Sequence, residues 1–103
     1  MENKYNAIRL NDDDNVAVAL RNIRNGEFIS IQGLDEKIEV KKGIPYGHKV
    51  ALKDIDADER VIKYGECMGI TTEKILKGCH VHVSNVRGLN NEEHLAVIGE
   101  HRH

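Results

Sequence analysis

The feature that most limits what this chain can fold into is its punctuation: apolar runs are short, and Gly, Asp, Asn or the single Pro interrupts them every few residues. A loose spacing recurs within that punctuation, in which an apolar residue, two others, a turn former, two others and usually another apolar residue follow in order. It runs from Ile23 to Ile29 around Gly26, from Val40 to Tyr46 around Gly43, from Ile55 to Ile62 around Asp58 and from Ile75 to Val81 around Gly78. Units of about seven residues are too short for a solenoid repeat, so they predict turn-then-strand corners of one compact, bent β domain. Asp58 suits its place because Asp tolerates the left-handed region.

Short strands are expected at Ala7–Leu10, Phe28–Ile31, Lys37–Val40, Lys49–Leu52, Arg60–Lys63 and His80–Val86, each bounded by turn formers. One segment has a helical signature. Asp14 and Asn15 offer caps, Val16, Ala17, Ala19, Leu20 and Ile23 form an apolar stripe, and Gly26 supplies a stop. The acidic run Asn11–Asp14 then fits a helix N-terminus, through capping and the dipole, better than it fits calcium. The resulting fold class is mainly β with one short helix, in a domain over residues 1–88. Residues 89–103 read as a polar tail that frays. Within it Leu95–Ile98 is apolar enough to add a strand or to dock on a partner, which includes another copy of the chain.

Composition excludes several functions. Fifteen Lys and Arg against 17 Asp and Glu leave a formal charge of −2, which argues against a general nucleic-acid binder, since that requires a dominant basic field. Phe28, Tyr5, Tyr46 and Tyr64 are the only aromatic residues of the Phe, Tyr and Trp types, so a base-stacking platform or an aromatic sugar groove is not expected. No apolar run approaches the roughly 20 residues of a membrane span, and Met1-Glu2-Asn3-Lys4 lacks the apolar stretch of a signal peptide. A cytoplasmic protein is expected, with Cys67 and Cys79 as buried thiols rather than a disulfide or a zinc pair.

Three segments carry candidate chemistry. In Gly78-Cys79-His80-Val81-His82-Val83-Ser84-Asn85, strand alternation sends His80, His82 and Ser84 to one face and Val81 and Val83 to the core. Two imidazoles about 6 to 7 Å apart can share a metal ion, or one can hold an anionic substrate while the other moves a proton; the bland alternative is an ordinary solvated strand face. In Gly43-Ile44-Pro45-Tyr46-Gly47-His48-Lys49-Val50-Ala51, a rigid loop entering a strand makes His48 and Lys49 available as a base and a cation, or is simply a turn with two exposed polar residues. Ile62-Lys63-Tyr64-Gly65-Glu66 places a lysine and a carboxylate around a glycine turn, a pattern that is usually just solvated. Phosphate loops, nucleophile elbows, zinc-protease helices and dinucleotide fingerprints are absent.

These segments, in this order and with Asn15-Val16-Ala17-Val18-Ala19-Leu20 before them, resemble the N-terminal SAF domain of the altronate and galactarate dehydratase family of sugar-acid lyases, over about residues 6 to 88. The resemblance implies a β-clip fold. It further implies a small subunit, or an excised N-terminal domain, that works with a large dehydratase subunit and is inactive alone. The family reaction removes water, or sulfite in the sulfolactate sulfo-lyase branch, from a hydroxy acid after loss of the proton α to a carboxylate. That proton is weakly acidic, so a base, stabilisation of the enediolate and an acid are all needed.

On this resemblance His48 and His80 are the catalytic candidates, Lys49, Lys63, His82, Ser84 and Asn85 the substrate-binding ones, and His80 and His82 the metal-binding ones. A divalent metal, with iron as the expectation, falls mainly to the large subunit, and the substrate is a sugar acid or a sulfonated hydroxy acid. One position departs from the family pattern: Ser84 stands where a third histidine is usual, which weakens the case for metal on this chain and points to a different substrate. The competing class is a non-catalytic SAF-type binding or assembly module, because fold alone does not choose function.

Overall fold

A computed structural model describes residues 5–100, the last four for their backbone only. Met1-Glu2-Asn3-Lys4 and His101-Arg102-His103 lie outside the described residues. The elements are β1 (Ala7–Ile8), β2 (Val16–Ala19), β3 (Phe28–Ile31), β4 (Leu34–Glu39), β5 (Lys49–Ala51), β6 (Arg60–Lys63), β7 (Glu66–Thr71), β8 (His80–Val81), β9 (Val86–Arg87) and α1 (Asn91–Glu100). All strand pairs are antiparallel, in a four-stranded sheet β1-β2-β5-β8, a hairpin β3-β4 and a three-stranded sheet β6-β7-β9. The chain is therefore mainly β with one short helix.

Four corners organise these strands. Each places its turn former in the left-handed region: Gly26 (φ 92°), Gly47 (81°), Asp58 (63°) and Gly78 (88°). Each also docks by the same pair of hydrogen bonds, in which the turn former's N–H donates to a neighbouring strand residue whose own N–H donates to the carbonyl just after the turn. The receiving residues are Val40, Ala19, Thr71 and Ala51, in the order of the corners. The isoleucines that open the corners pair with one another, Ile23 with Ile44 and Ile55 with Ile75. The fold is thus two similar halves, each built on a pair of corners.

The spacing is Ile23-Gly26-Ile29, Ile44-Gly47-Val50, Ile55-Asp58-Val61 and Ile75-Gly78-Val81, and all eight apolar residues are buried; the third unit thus ends at Val61 and not at the expected Ile62, which is only half-buried. The second unit is centred on Gly47 and not on Gly43, which is absent from the left-handed residues. Val40, taken from the sequence as the opening of that unit, is instead the strand residue on which the first corner docks. Tyr46, its expected apolar end, is 70% exposed.

Where a helix is expected over Val16–Ile23, Val16–Ala19 is a strand and Ile23 opens the first corner. β2 lies between β1 and β5 with both faces covered: Val16 packs with Ala51, Ile55, Val61, Ile75 and Val81, while Ala17 and Ala19 pack with Ile23, Ile29, Ile44 and Val50. A strand buried on both sides needs no alternation, and its unbroken apolar run imitates a helical stripe. The acidic run before it therefore caps no helix. Asp14, 5% exposed, accepts hydrogen bonds from Tyr64 N at 2.9 Å and Gly65 N at 2.8 Å. Tyr64 and Gly65 have φ of 55° and 79°, the consecutive left-handed pair of a tight type I′ hairpin between β6 and β7.

Three buried asparagines finish the strand ends. Asn6, Asn15 and Asn85 each donate through Nδ2 to one backbone carbonyl and accept through Oδ1 from the N–H two residues on, at Phe28 and Ser30, Arg60 and Ile62, and His80 and His82. A side-chain amide has the donor and acceptor of a peptide group, so each asparagine acts as a missing strand neighbour for the residues that follow a corner.

The helix of the fold is α1, where the sequence suggested a fraying tail or a strand at Leu95–Ile98. Asn90 Oδ1 accepts from Glu93 N at 2.9 Å and Glu93 Oε1 accepts from Asn90 N at 3.0 Å, a reciprocal capping box. Among the described side chains of α1 only Glu93 is partly buried. No helix among the described residues is long and apolar enough to cross a membrane. Cys67 and Cys79 are free thiols, half rather than fully buried.

Candidate active site

β5 and β8 pair antiparallel in the register Lys49 to Val81 and Val50 to His80, which brings the Gly47 corner beside the end of β8, where His82 follows. That register joins two of the sequence segments. His48 Nδ1 lies 2.8 Å from His80 Nε2, and the His80 and His82 rings stack with centroids 4.2 Å apart at 21°. His48 is exposed, and His80 and His82 are half-buried.

The strand that was expected to carry His80 to Val86 ends at Val81. Residues 82–85 form a turn closed by Asn85 N donating to His82 O at 3.0 Å. Val83, expected in the core, sits on that turn 95% exposed. Ser84 Oγ lies 2.8 Å from His82 Nε2 and 3.1 Å from Nδ1, so the hydroxyl at the departing position contacts the second imidazole. Asn85 does not offer its amide to a ligand, because both ends hold the backbone of His80 and His82 and the residue is only 7% exposed.

The cluster is surrounded by positive charge. Burial first, and then the neighbouring His82, His48, Lys42 and Lys49, push the His80 imidazole down to about 4. Burial and then the Lys63 ammonium likewise hold Lys49 below the ordinary lysine range. Lys63 stands at the end of β6 with Nζ 5.2 Å from the centre of the Tyr64 ring. A neutral imidazole at His80 accepts a proton or a hydrogen bond, and the lysines around it suit a bound carboxylate. One member of this group, Lys42, was not legible as a site residue, because it lies outside the candidate segments.

As arranged, these donors do not make a metal centre by themselves. His80 and His82 face each other ring to ring, His80 Nε2 is engaged with His48, and no group of three or more His, Cys, Asp or Glu among the described residues is placed to share an ion. Stacked rings do not aim their lone pairs at one point, and no carboxylate supplements them.

A bent domain of paired left-handed corners, with imidazoles and lysines gathered where β5 meets β8, defines a small β module with an anion-receptive face. The chain belongs to the altronate/galactarate dehydratase SAF domain family, whose profile matches residues 5–89. It is 40% identical over 80 residues to altronate dehydratase of Bacillus subtilis (strain 168), a match covering 78% of this chain and 16% of that protein. It is 38% identical over 80 residues to (2R)-sulfolactate sulfo-lyase subunit alpha of Chromohalobacter salexigens, covering 74% of this chain and 85% of that protein. With galactarate dehydratase (L-threo-forming) of Escherichia coli (strain K12) the identity is 37% over 79 residues, covering 77% of this chain and 14% of that protein. The chain thus spans a small part of the dehydratases it matches and most of the sulfo-lyase subunit.

Proposed function

We propose that this chain is the small subunit, or the N-terminal domain, of a hydroxy-acid lyase, and that its imidazole cluster closes a site shared with a large dehydratase chain. The observation that carries the reading is the His48–His80 contact at 2.8 Å, near the ammonium groups of Lys42 and Lys49. Lys49 and Lys63 attract the substrate carboxylate and oppose the charge that builds on it as the α proton leaves. His80, neutral at physiological pH, accepts that proton or relays it through His48, while His82 and Ser84 hydrogen-bond substrate hydroxyls. The β carbon–oxygen bond then breaks and water departs with a proton from an acid; in the sulfo-lyase branch sulfite departs instead. A divalent metal, with iron as the expectation, belongs to the large chain on this reading. A cytoplasmic setting belongs to it too, supported by two cysteines kept as free thiols.

The test is reconstitution. The chain is expected to co-purify with a large dehydratase chain and to support elimination from altronate, galactarate or sulfolactate. His48→Ala and His80→Ala are each expected to lower kcat about 100-fold, the usual weight of a positioned acid or base. Full activity in both variants would refute the site assignment. A complex that forms normally but eliminates none of the three acids would instead identify a non-catalytic assembly module.

A further inference from the structure

Next to the imidazoles a cavity of about 200 Å³ opens across the seam between the two larger sheets. Lys49, His82 and Arg87 line its polar side, and Met68, Val83 and Val86 its apolar side. Both charged residues are cations, and no carboxylate is among the lining residues. Lys49 comes from β5 and Arg87 from β9, so the pair exists only because the sheets are packed together.

One carboxylate already grips Arg87. Glu93, in the first turn of α1, accepts from Nη1 and Nη2 at 2.8 Å each. Arg87 Nη1 also donates to Gly88 O at 3.1 Å, which steadies the guanidinium at the rim of the cavity. A planar, two-point carboxylate contact of this kind is how an arginine recognises an acid ligand. Arg87 is exposed and Glu93 only half-buried, and a pair this open to water gives way for only about a two- to five-fold loss in competition.

We propose that Arg87 and Lys49 form a receiving site for the anionic end, carboxylate or sulfonate, of a small hydroxy acid, and that Glu93 occupies Arg87 as an internal competitor. The proposal rests on the reading of this chain as part of a hydroxy-acid lyase, and adds to it a further cation, Arg87, and a movable latch. The apolar residues of the cavity pack against the carbon chain, His82 reaches a hydroxyl, and α1 yields when the ligand's oxygens replace those of Glu93. The helix is suited to yield, since apart from Glu93 its described side chains are exposed.

Binding of galactarate, altronate and inorganic sulfate to the purified chain, measured by calorimetry, tests the latch. Glu93→Gln keeps an oxygen for the cap at Asn90 but removes the competing charge. It is expected to bind galactarate about two- to five-fold more tightly than the unaltered chain. Arg87→Gln and the double variant are expected to bind equally weakly, and sulfate to gain less than the acids. Thermal melting of each variant separates lost binding from lost folding. An unchanged affinity in Glu93→Gln, a gain that persists in the double variant, or a gain for sulfate equal to that for the acids would each overturn the proposal. Elimination activity of the reconstituted complex reports on the parent reading alone: an inactive complex beside a tightened Glu93→Gln would remove the lyase and leave the acid site standing.

Discussion

In water the His80 imidazole would be half protonated near pH 6.5; in the fold, burial and then the neighbouring His82, His48, Lys42 and Lys49 carry that point down to about 4. Between those values the unfolded chain holds a proton that the native chain refuses, so stability is complete above about pH 6.5 and falls as pH drops toward 4. The urea midpoint is therefore expected to be lower at pH 5 than at pH 7, and His80→Asn to flatten part of that slope. An identical slope in the variant would show that His80 is not the group responsible. At this scale the sequence was half legible. The near neighbours His80 and His82 were recognisable as a pair from their spacing, whereas His48, 32 residues from His80, joins them only through the β5–β8 register.

Single elements show how local signals compete with burial. The strand β2 alternates Val with Ala, the best helix former, yet its backbone pairs on both edges and its side chains fill two cores. Propensity differences of a few tenths of a kcal/mol per residue yield to that environment. The reverse holds for α1, which has little tertiary support and depends on its own cap. Asn90-Asn91-Glu92-Glu93 has the spacing of a capping box, and that signal was present in the sequence but read as polar tail. Asn90→Ala is expected to cost the helix about 1 kcal/mol. The measurement is loss of amide protection across residues 91–100 with the melting midpoint of the β domain unchanged; a shifted midpoint would mean that α1 braces the body.

For the whole molecule, the corners decide which parts meet. Gly78 lies in the last corner, yet a Cβ built there would stand 2.1 Å from the carbonyl oxygen of Glu39, at the end of β4 in the other half. Gly78 O also accepts from Lys41 N at 3.0 Å. Gly26, with a similar φ, has nothing within 4 Å of its would-be Cβ. Gly26→Ala is therefore expected to cost only left-handed strain, about 1–2 kcal/mol. Gly78→Ala adds about 1–3 kcal/mol of overpacking against a backbone that cannot retreat. Equal urea midpoints for the two variants would show that the halves are not pressed together at Gly78.

What the sequence determined by itself is what depends on neighbours in the chain: the turn formers at Gly26, Asp58 and Gly78, the buried isoleucines and valines spaced three residues either side of them, and hence a bent β domain built from corners. These follow from backbone sterics and from a short apolar period, both of which act over a few residues. Tertiary structure alone decided that Val16–Ala19 is sandwiched as a strand, that the second corner turns at Gly47, that Asn85 braces the histidines instead of meeting a ligand, and that His48 meets His80, and Lys49 meets Arg87, across separate strands. Each of these depends on which surfaces become covered and which strands become neighbours, and such long-range burial and pairing leave no mark in the local pattern of residues.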